Sequence, residues 1–322
     1  MKNMDIALVQ SKGEFFDDIR ESVWVALTII VPRLNDGPTD FLWMGKTWHE
    51  IKSAGGCSEI WFDFSRCDFL QPNAVVFLGG LARMIPRWGG EAQFLETTIR
   101  EEVRINLLQN GFAHAMGAEV PPWQGNSIPY REYPCQDEDV IVQDLRQNWL
   151  GRGWISLSEA LASEILGQMW EIFGNAFEHS ETPIGVHSCG QYFRRRHVLT
   201  LSVGDFGVGI PTKVRRFLHL PQLSGADAMR WAFQRGTSTS ERPTRGPRGV
   251  GLDLLKELVC KTNGAMVVYS HDGHARIDRH GEKYENFAPF FEGTLVHIRL
   301  SCDNRHYMLS TEAAATNAAP FF

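Results

Sequence analysis

Apolar and polar positions divide the chain into stretches of different period. EIWFDFSRCDFL, beginning at Glu59, alternates and then runs apolar, as a buried strand does. PNAVVFLGGLARMIPRW then carries a helical apolar pattern. Glu91 to Glu96, EAQFLE, reads as a second short strand. TIREEVRINLLQNGF reads as a helix ended by Asn110-Gly111 in a C-cap role. This order predicts a small α/β sheet packed against helices. Residues 118–139, AEVPPWQGNSIPYREYPCQDED, hold Pro121, Pro122, Pro129 and Pro134 and keep neither period, so they read as a linker or long irregular connection. SLSEALASEILGQMWEIFGNAFEHS predicts one long amphipathic helix, with Ser156 or Ser158 as N-cap and Glu159 in its first turn. The strands IGVHSCGQYF and HVLTLSVGDF, joined by Arg194-Arg195-Arg196, predict a hairpin. A polar, Gly- and Arg-rich stretch at roughly 211–248 precedes a helix at GLDLLKELVCKTNG and closing strands at GAMVVYSHD and GTLVHIRL. The second half therefore predicts an α/β sandwich, one sheet with helices on one face. TEAAATNAAPFF has little to bury and reads as a loose tail.

A length of 322 residues gives a prior of roughly two domains. The expected organisation is an α/β domain over 1–118, a linker over 119–149, a second α/β domain over 150–302 and a loose tail over 303–322. Hydrophobic residues make up 43%, which supplies apolar mass for two cores. No apolar run approaches the roughly 20 residues of a membrane span, and the N-terminal stretch lacks the pattern of a signal peptide. Cys57, Cys67, Cys135, Cys189, Cys260 and Cys302 are scattered without CxxC spacing, so reduced thiols and a cytoplasmic setting are expected. The net charge of −6 is uneven. Residues 1–148 carry 13 Lys+Arg against 21 Asp+Glu, a balance of −8, and residues 149–322 carry 19 against 17, a balance of +2. A general basic field for nucleic acid is not expected from the first half, whereas the second half invites a search for a local anion site.

Three features of that half carry chemistry. Glu171, Asn175 and His179 are spaced i, i+4, i+8 on the predicted long helix, with Glu178 beside them. A carboxylate can orient a water or hydroxyl, and an amide oxygen one turn on can hold Mg²⁺; a solvated polar stripe is the plain alternative. In VGDFGVGIP, Asp205 ends a strand and Gly207 and Gly209 permit close ligand approach, although DxGxG alone is often a simple turn. In TRGPRGVGLDLLKEL, Gly246, Gly249 and Gly251 lead into a helix whose free N–H groups suit phosphate. The preceding stretch is basic, with Lys213, Arg215, Arg216, Arg230, Arg235, Arg242, Arg245 and Arg248 against Asp227 and Glu241, a balance that suits a triphosphate. Neither a P-loop nor a dinucleotide fingerprint occurs.

In this order, and with the closing Gly293-Thr294, the features resemble the GHKL (Bergerat-fold, histidine-kinase-like) ATPase superfamily over about 150–300. WEIFGNAFEHS resembles its N box, DFGVGI its first glycine box and RGVGL its second. The resemblance implies a two-layer α/β sandwich that binds ATP and Mg²⁺. It implies Glu171 as general base, Asn175 as Mg²⁺ ligand, Asp205 as the adenine-reading carboxylate and Thr294 as support at the adenine end. Gly207 and Gly209 would shape the pocket, Gly249 and Gly251 would face the phosphates, and His179, Ile210, Lys213, Arg248, Val250 and Leu252 would flank the nucleotide. The run between the glycine boxes would be an ATP lid. NAFEHS and RGTSTSERP are most similar to histidine kinases and anti-sigma-type serine kinases.

The first half, over roughly 40–118, resembles a STAS-like domain of the anti-sigma-antagonist type. Its strand-to-helix turn reads Leu70-Gln71-Pro72-Asn73, without the hydroxyl that such domains phosphorylate, which implies a docking or regulatory module. Trp48-His49-Glu50 is a weak echo of a phosphoacceptor site and reads as structural. Arg194-Arg195-Arg196 reads as a solvated hairpin tip and Cys260 as a core thiol. Two functions are expected from different classes: a regulatory protein kinase or ATPase acting on a protein partner, or an ATP-gated binding switch with little turnover. A homodimer is possible; neither nucleic acid nor membrane is an expected partner.

Overall fold

The computed structural model describes residues 25–54, 58–123, 125–234 and 253–318. The first half is built from β1 (Val25–Ile30), α1 (Pro38–Ala54), β2 (Ser58–Asp63), α2 (Pro72–Arg87), β3 (Glu91–Phe94), α3 (Glu101–Gln109) and the single turn α4 (Phe112–Ala115). β1, β2 and β3 form a parallel sheet with β2 central. Four of these elements fall where the pattern put them, and Gly111, at φ 84°, ends α3 as expected. Trp48 lies buried in α1, with His49 and Glu50 exposed beside it.

The segment expected as a linker instead carries β4 (Ser127–Tyr133) and α5 (Glu138–Leu145). β4 is an edge strand, where one side makes no ladder bonds, so Pro129 is tolerated and the register shifts between Ile128 and Arg131. β5 (Ser156–Leu157) then leads into α6 (Glu159–His179), the predicted long helix. Ser158 is its N-cap, its hydroxyl accepting from the Leu161 N–H at 3.2 Å. β6 (Val186–Phe193) and β7 (Val198–Asp205) form the predicted hairpin. The described part of the stretch read as a polar loop is helical, as α7 (Ile210–Leu218) and α8 (Gly225–Ala232). α9 (Asp253–Lys261), β8 (Ala265–Ser270), β9 (Gly273–Asp278), β10 (Gly281–Asn286), β11 (Thr294–Ser301), β12 (His306–Tyr307) and α10 (Ser310–Ala318) complete the chain. The tail expected to be loose is tied down in its described part. β12 pairs with β5, and the Glu312 carboxylate accepts from the Ser158 hydroxyl at 2.6 Å and the Leu309 N–H at 2.9 Å.

The fold is mixed α/β. Its centre is a seven-stranded antiparallel sheet of order β10-β9-β8-β11-β7-β6-β4. Side chains alternate across it. Leu199, Leu201 and Val203 of β7 join Ile165, Met169 and Phe173 of α6 and Leu255, Leu258 and Val259 of α9 in one core. Alternate positions face the first half. There Tyr130, Cys189, Phe206, Val267, Tyr269 and Leu295 share a second core with Val76, Phe77, Leu78 and Leu81 of α2. Helices were expected on one face only; α2 covers the other, and the two halves share this core. α2 is apolar on all sides because it is packed between two sheets, and it is buried almost throughout from Pro72 to Ile85. Glycines let it approach closely: a Cβ on Gly79 would lie 2.1 Å from the Tyr130 hydroxyl, and one on Gly80 would lie 1.8 Å from the Phe206 ring. Among the described residues no helix is long and apolar enough to cross a membrane.

Candidate functional site

α6 presents Glu171 and Asn175 one turn apart, both exposed, on the stripe the spacing predicted. The helix ends at Ser180, which starts the candidate site proper. At 1.5 Å of rise per residue, Asn175 stands about 7 Å and Glu171 about 13 Å along the axis from Ser180. The His179 side chain lies outside the described residues.

Asp205, the last residue of β7, is on the α6 face of the sheet and only 3% exposed. Register places it opposite Thr294 of β11 on one side and Val186 of β6 on the other. Its carboxylate accepts from the Gly207 N–H at 3.0 Å, and the nearby Thr294 and Ser180 hydroxyls favour its charged form, the Ser180 hydroxyl itself donating to the Ala176 carbonyl. Burial dominates over these contacts and pushes the carboxyl up to about 7. The Thr294 hydroxyl also meets Ser270 Oγ at 2.8 Å, and Ser270 Oγ accepts from the Ile210 N–H at 2.7 Å. A carboxyl group and three hydroxyls therefore gather where β7 and β8 end and β11 begins, beside the end of α6.

The glycines after Asp205 have steric work. Val208 N–H donates to the Ser180 carbonyl at 2.6 Å, so Gly207 lies directly on the end of α6, and a Cβ there would sit 1.8 Å from that carbonyl. Gly209, at φ 75°, turns the chain into α7. Gly207 and Gly209 thus shape the strand end by close backbone contact.

α6 also holds the start of α9. Gln168, buried on α6, accepts from the Leu255 N–H at 2.6 Å, occupying one of the helix-start donors. The start of α9 is thereby fixed against α6, one turn before Glu171. Arg248, Gly249, Val250, Gly251 and Leu252, with Arg235, Arg242 and Arg245, lie outside the described residues.

Three described cations of this region, Lys213, Arg215 and Arg216, have acidic partners remote in sequence. Lys213 pairs with Glu181, which also accepts from Arg216 at 3.1 Å. Arg215 grips Asp272 with two bonds, at 2.9 and 2.5 Å, and Arg230 pairs with Asp227. The local positive surplus read from the sequence is thus offset at its described positions by Glu181 and Asp272. Lys213, expected beside the nucleotide, is held by Glu181 at the start of the α6–β6 connection.

Sequence reasoning missed Ser180, Ser270, Gln168 and Phe206. For Gln168 a signal existed, a polar residue on the apolar face of an amphipathic helix; the serines carry none that pattern can detect. No model of a known protein family matches the chain, and no curated protein sequence matches it.

Proposed function

We propose that the chain binds Mg-ATP on the α6 face of the large sheet and acts as a GHKL-type regulatory protein kinase or ATPase on a protein partner. Asp205 carries the reading. A buried carboxyl pushed up to about 7 is costly to keep ionised, and donors on a ligand would relieve that cost. Its hydroxyl neighbours Thr294 and Ser180 make a set of small polar groups suited to the exocyclic amine and ring nitrogens of adenine. The exposed amide and carboxylate on α6 suit a hard cation and the base beside it. Asn175 Oδ1 would hold Mg²⁺, which supplies charge neutralisation at the phosphates when bound. Glu171 would take the proton from a water or from a protein hydroxyl. The start of α9, tied to α6 by Gln168, would face the phosphates.

A substrate in trans fits the first half. In the turn Leu70-Gln71-Pro72-Asn73 the polar residues are buried, and Asn73 Nδ2 donates to the Asn35 carbonyl at 3.1 Å. The turn has no hydroxyl to accept phosphate.

The test is incubation with γ-labelled ATP and Mg²⁺, with a panel of candidate acceptor proteins. Wild type should bind and turn over or transfer label; Glu171→Ala should bind without doing either; Asp205→Asn should lose binding. Wild-type protein that binds no ATP would end the reading. The ATP-gated switch is the second reading, favoured by the insertion of Phe206, the neighbour of Asp205, into the core shared with the first half. In that case Glu171→Ala would leave partner binding and its ATP dependence intact.

A further inference from the structure

Asp205 and Phe206 are consecutive, yet they belong to opposite faces of the sheet. Asp205 meets Ser180 and Thr294 on the α6 side. Phe206 enters the core on the α2 side, with its ring in the notch left by Gly80. It stacks with Trp48 at 5.9 Å between centroids, and Phe77, Phe291 and His187 close around it at 6.2, 6.0 and 5.8 Å. One residue before Asp205, Gly204 fits beneath Val76 of α2, where a Cβ would lie 2.7 Å from the Val76 side chain. On the other side Gly293 lies against the Asp205 carbonyl, where a Cβ would lie 2.2 Å from that oxygen. The end of β7 is therefore gripped by α2 on both sides of Asp205, with no slack in the facing backbone. Consecutive Cα atoms are about 3.8 Å apart across a rigid peptide unit, so displacement of Phe206 is passed to Asp205.

We propose that Phe206 is a positioning residue, and that α2 sets the adenine selectivity of the candidate site through the Gly80 notch. The proposal rests on the reading of Asp205 as the adenine-binding carboxylate. The first half then acts on the nucleotide site by where it holds the strand end, without touching the ligand. A regulator that moves α2 would change nucleotide preference through the same contact.

The test compares ATP and GTP affinity in the full chain, together with thermal stability. Gly80→Ala places a methyl group where the Phe206 ring stands. The ATP-over-GTP preference of the wild type should fall by about tenfold, the value of one misplaced hydrogen bond in a buried site. Gly264→Ala is the matched control: a Cβ there would lie 2.0 Å from the Arg299 carbonyl, at the opposite end of β11 from Thr294, so it should cost stability and keep the preference. Phe206→Leu shrinks the same contact without a clash. If Gly80→Ala fails to fold, Phe206→Leu carries the test, with the same expected loss. A folded Gly80→Ala or Phe206→Leu with wild-type preference would overturn the proposal and leave the nucleotide reading standing. A wild type without preference for ATP would remove the reading of Asp205 and the proposal together.

Discussion

On the α2 face of the large sheet, Phe206, Tyr269, Leu295 and Val267 share a core with a helix that is buried almost end to end. On the α6 face the same strands carry Leu199, Leu201, Val203, Val268 and Val296 against α6 and α9, but at their ends Asp205, Ser270 and Thr294 replace the apolar run. Polar groups occur on both faces, and their settings differ. On the α2 face His187 Nδ1 meets the Tyr130 hydroxyl at 2.9 Å, and His297 Nδ1 meets the Ser202 hydroxyl at 2.8 Å, both deep in the interior. On the α6 face the polar cluster lies at the end of a helix whose adjoining stripe, Glu171 and Asn175, is exposed. One face joins two halves of the chain; the other ends in a buried polar cluster beside an exposed carboxylate and amide.

The largest effect expected from this contrast is on the joining face. Phe77→Ala should cost about 3–5 kcal/mol, because it leaves a cavity among Trp43, Phe206 and Phe291. Denaturant unfolding followed by two probes, one in each half, should show a single shifted transition. Two separate transitions would refute a shared core.

A smaller effect of opposite sign is expected at Asp205. Its folded pKa, about 7, lies above the ordinary carboxylate value of 3.8, so between these values the folded state binds more protons than the unfolded state. Stability from this group is greatest below the unfolded pKa and is lost as pH rises through about 7. Asp205→Asn should therefore raise the denaturant midpoint at pH 8 and change it little at pH 4, while removing ATP binding. A fall in stability at pH 8 would show that the carboxylate is there to hold the fold.

The smallest effect on stability is expected on the exposed stripe. Asn175→Ala should shift it by no more than about 0.5 kcal/mol, since surface substitutions seldom do more, while weakening the Mg²⁺ dependence of nucleotide binding. A large loss of stability with unchanged Mg²⁺ dependence would make the residue structural.

Much of this contrast was legible in the sequence where period and chemistry coincide. The long helix with its N-cap serine, the β6–β7 hairpin, α2 and the strand ending at Asp205 all follow from local patterns. β4 did not, because prolines argue against strands and only the position at a sheet edge removes the objection. α7 was obscured by charge, since the acids that offset its cations, Glu181 and Asp272, arrive from elsewhere in the chain, and α8 lay in the same polar stretch. The β9–β10 hairpin was hidden because β10 is mostly exposed and has no apolar alternation. Asp205 was legible as a candidate, but its hydroxyl neighbours come from α6 and β11, and only the register of the sheet brings them together.

The central claim, an adenine nucleotide site at the end of β7 on the α6 face, is tested most directly by calorimetric titration of Mg-ATP into the full chain from pH 6 to pH 8. The account predicts saturable binding at pH 8 that weakens as Asp205 takes up its proton through about pH 7, and no binding by Asp205→Asn at either pH. Equal ATP affinity in wild type and Asp205→Asn, or no binding by wild type at pH 8, would contradict it.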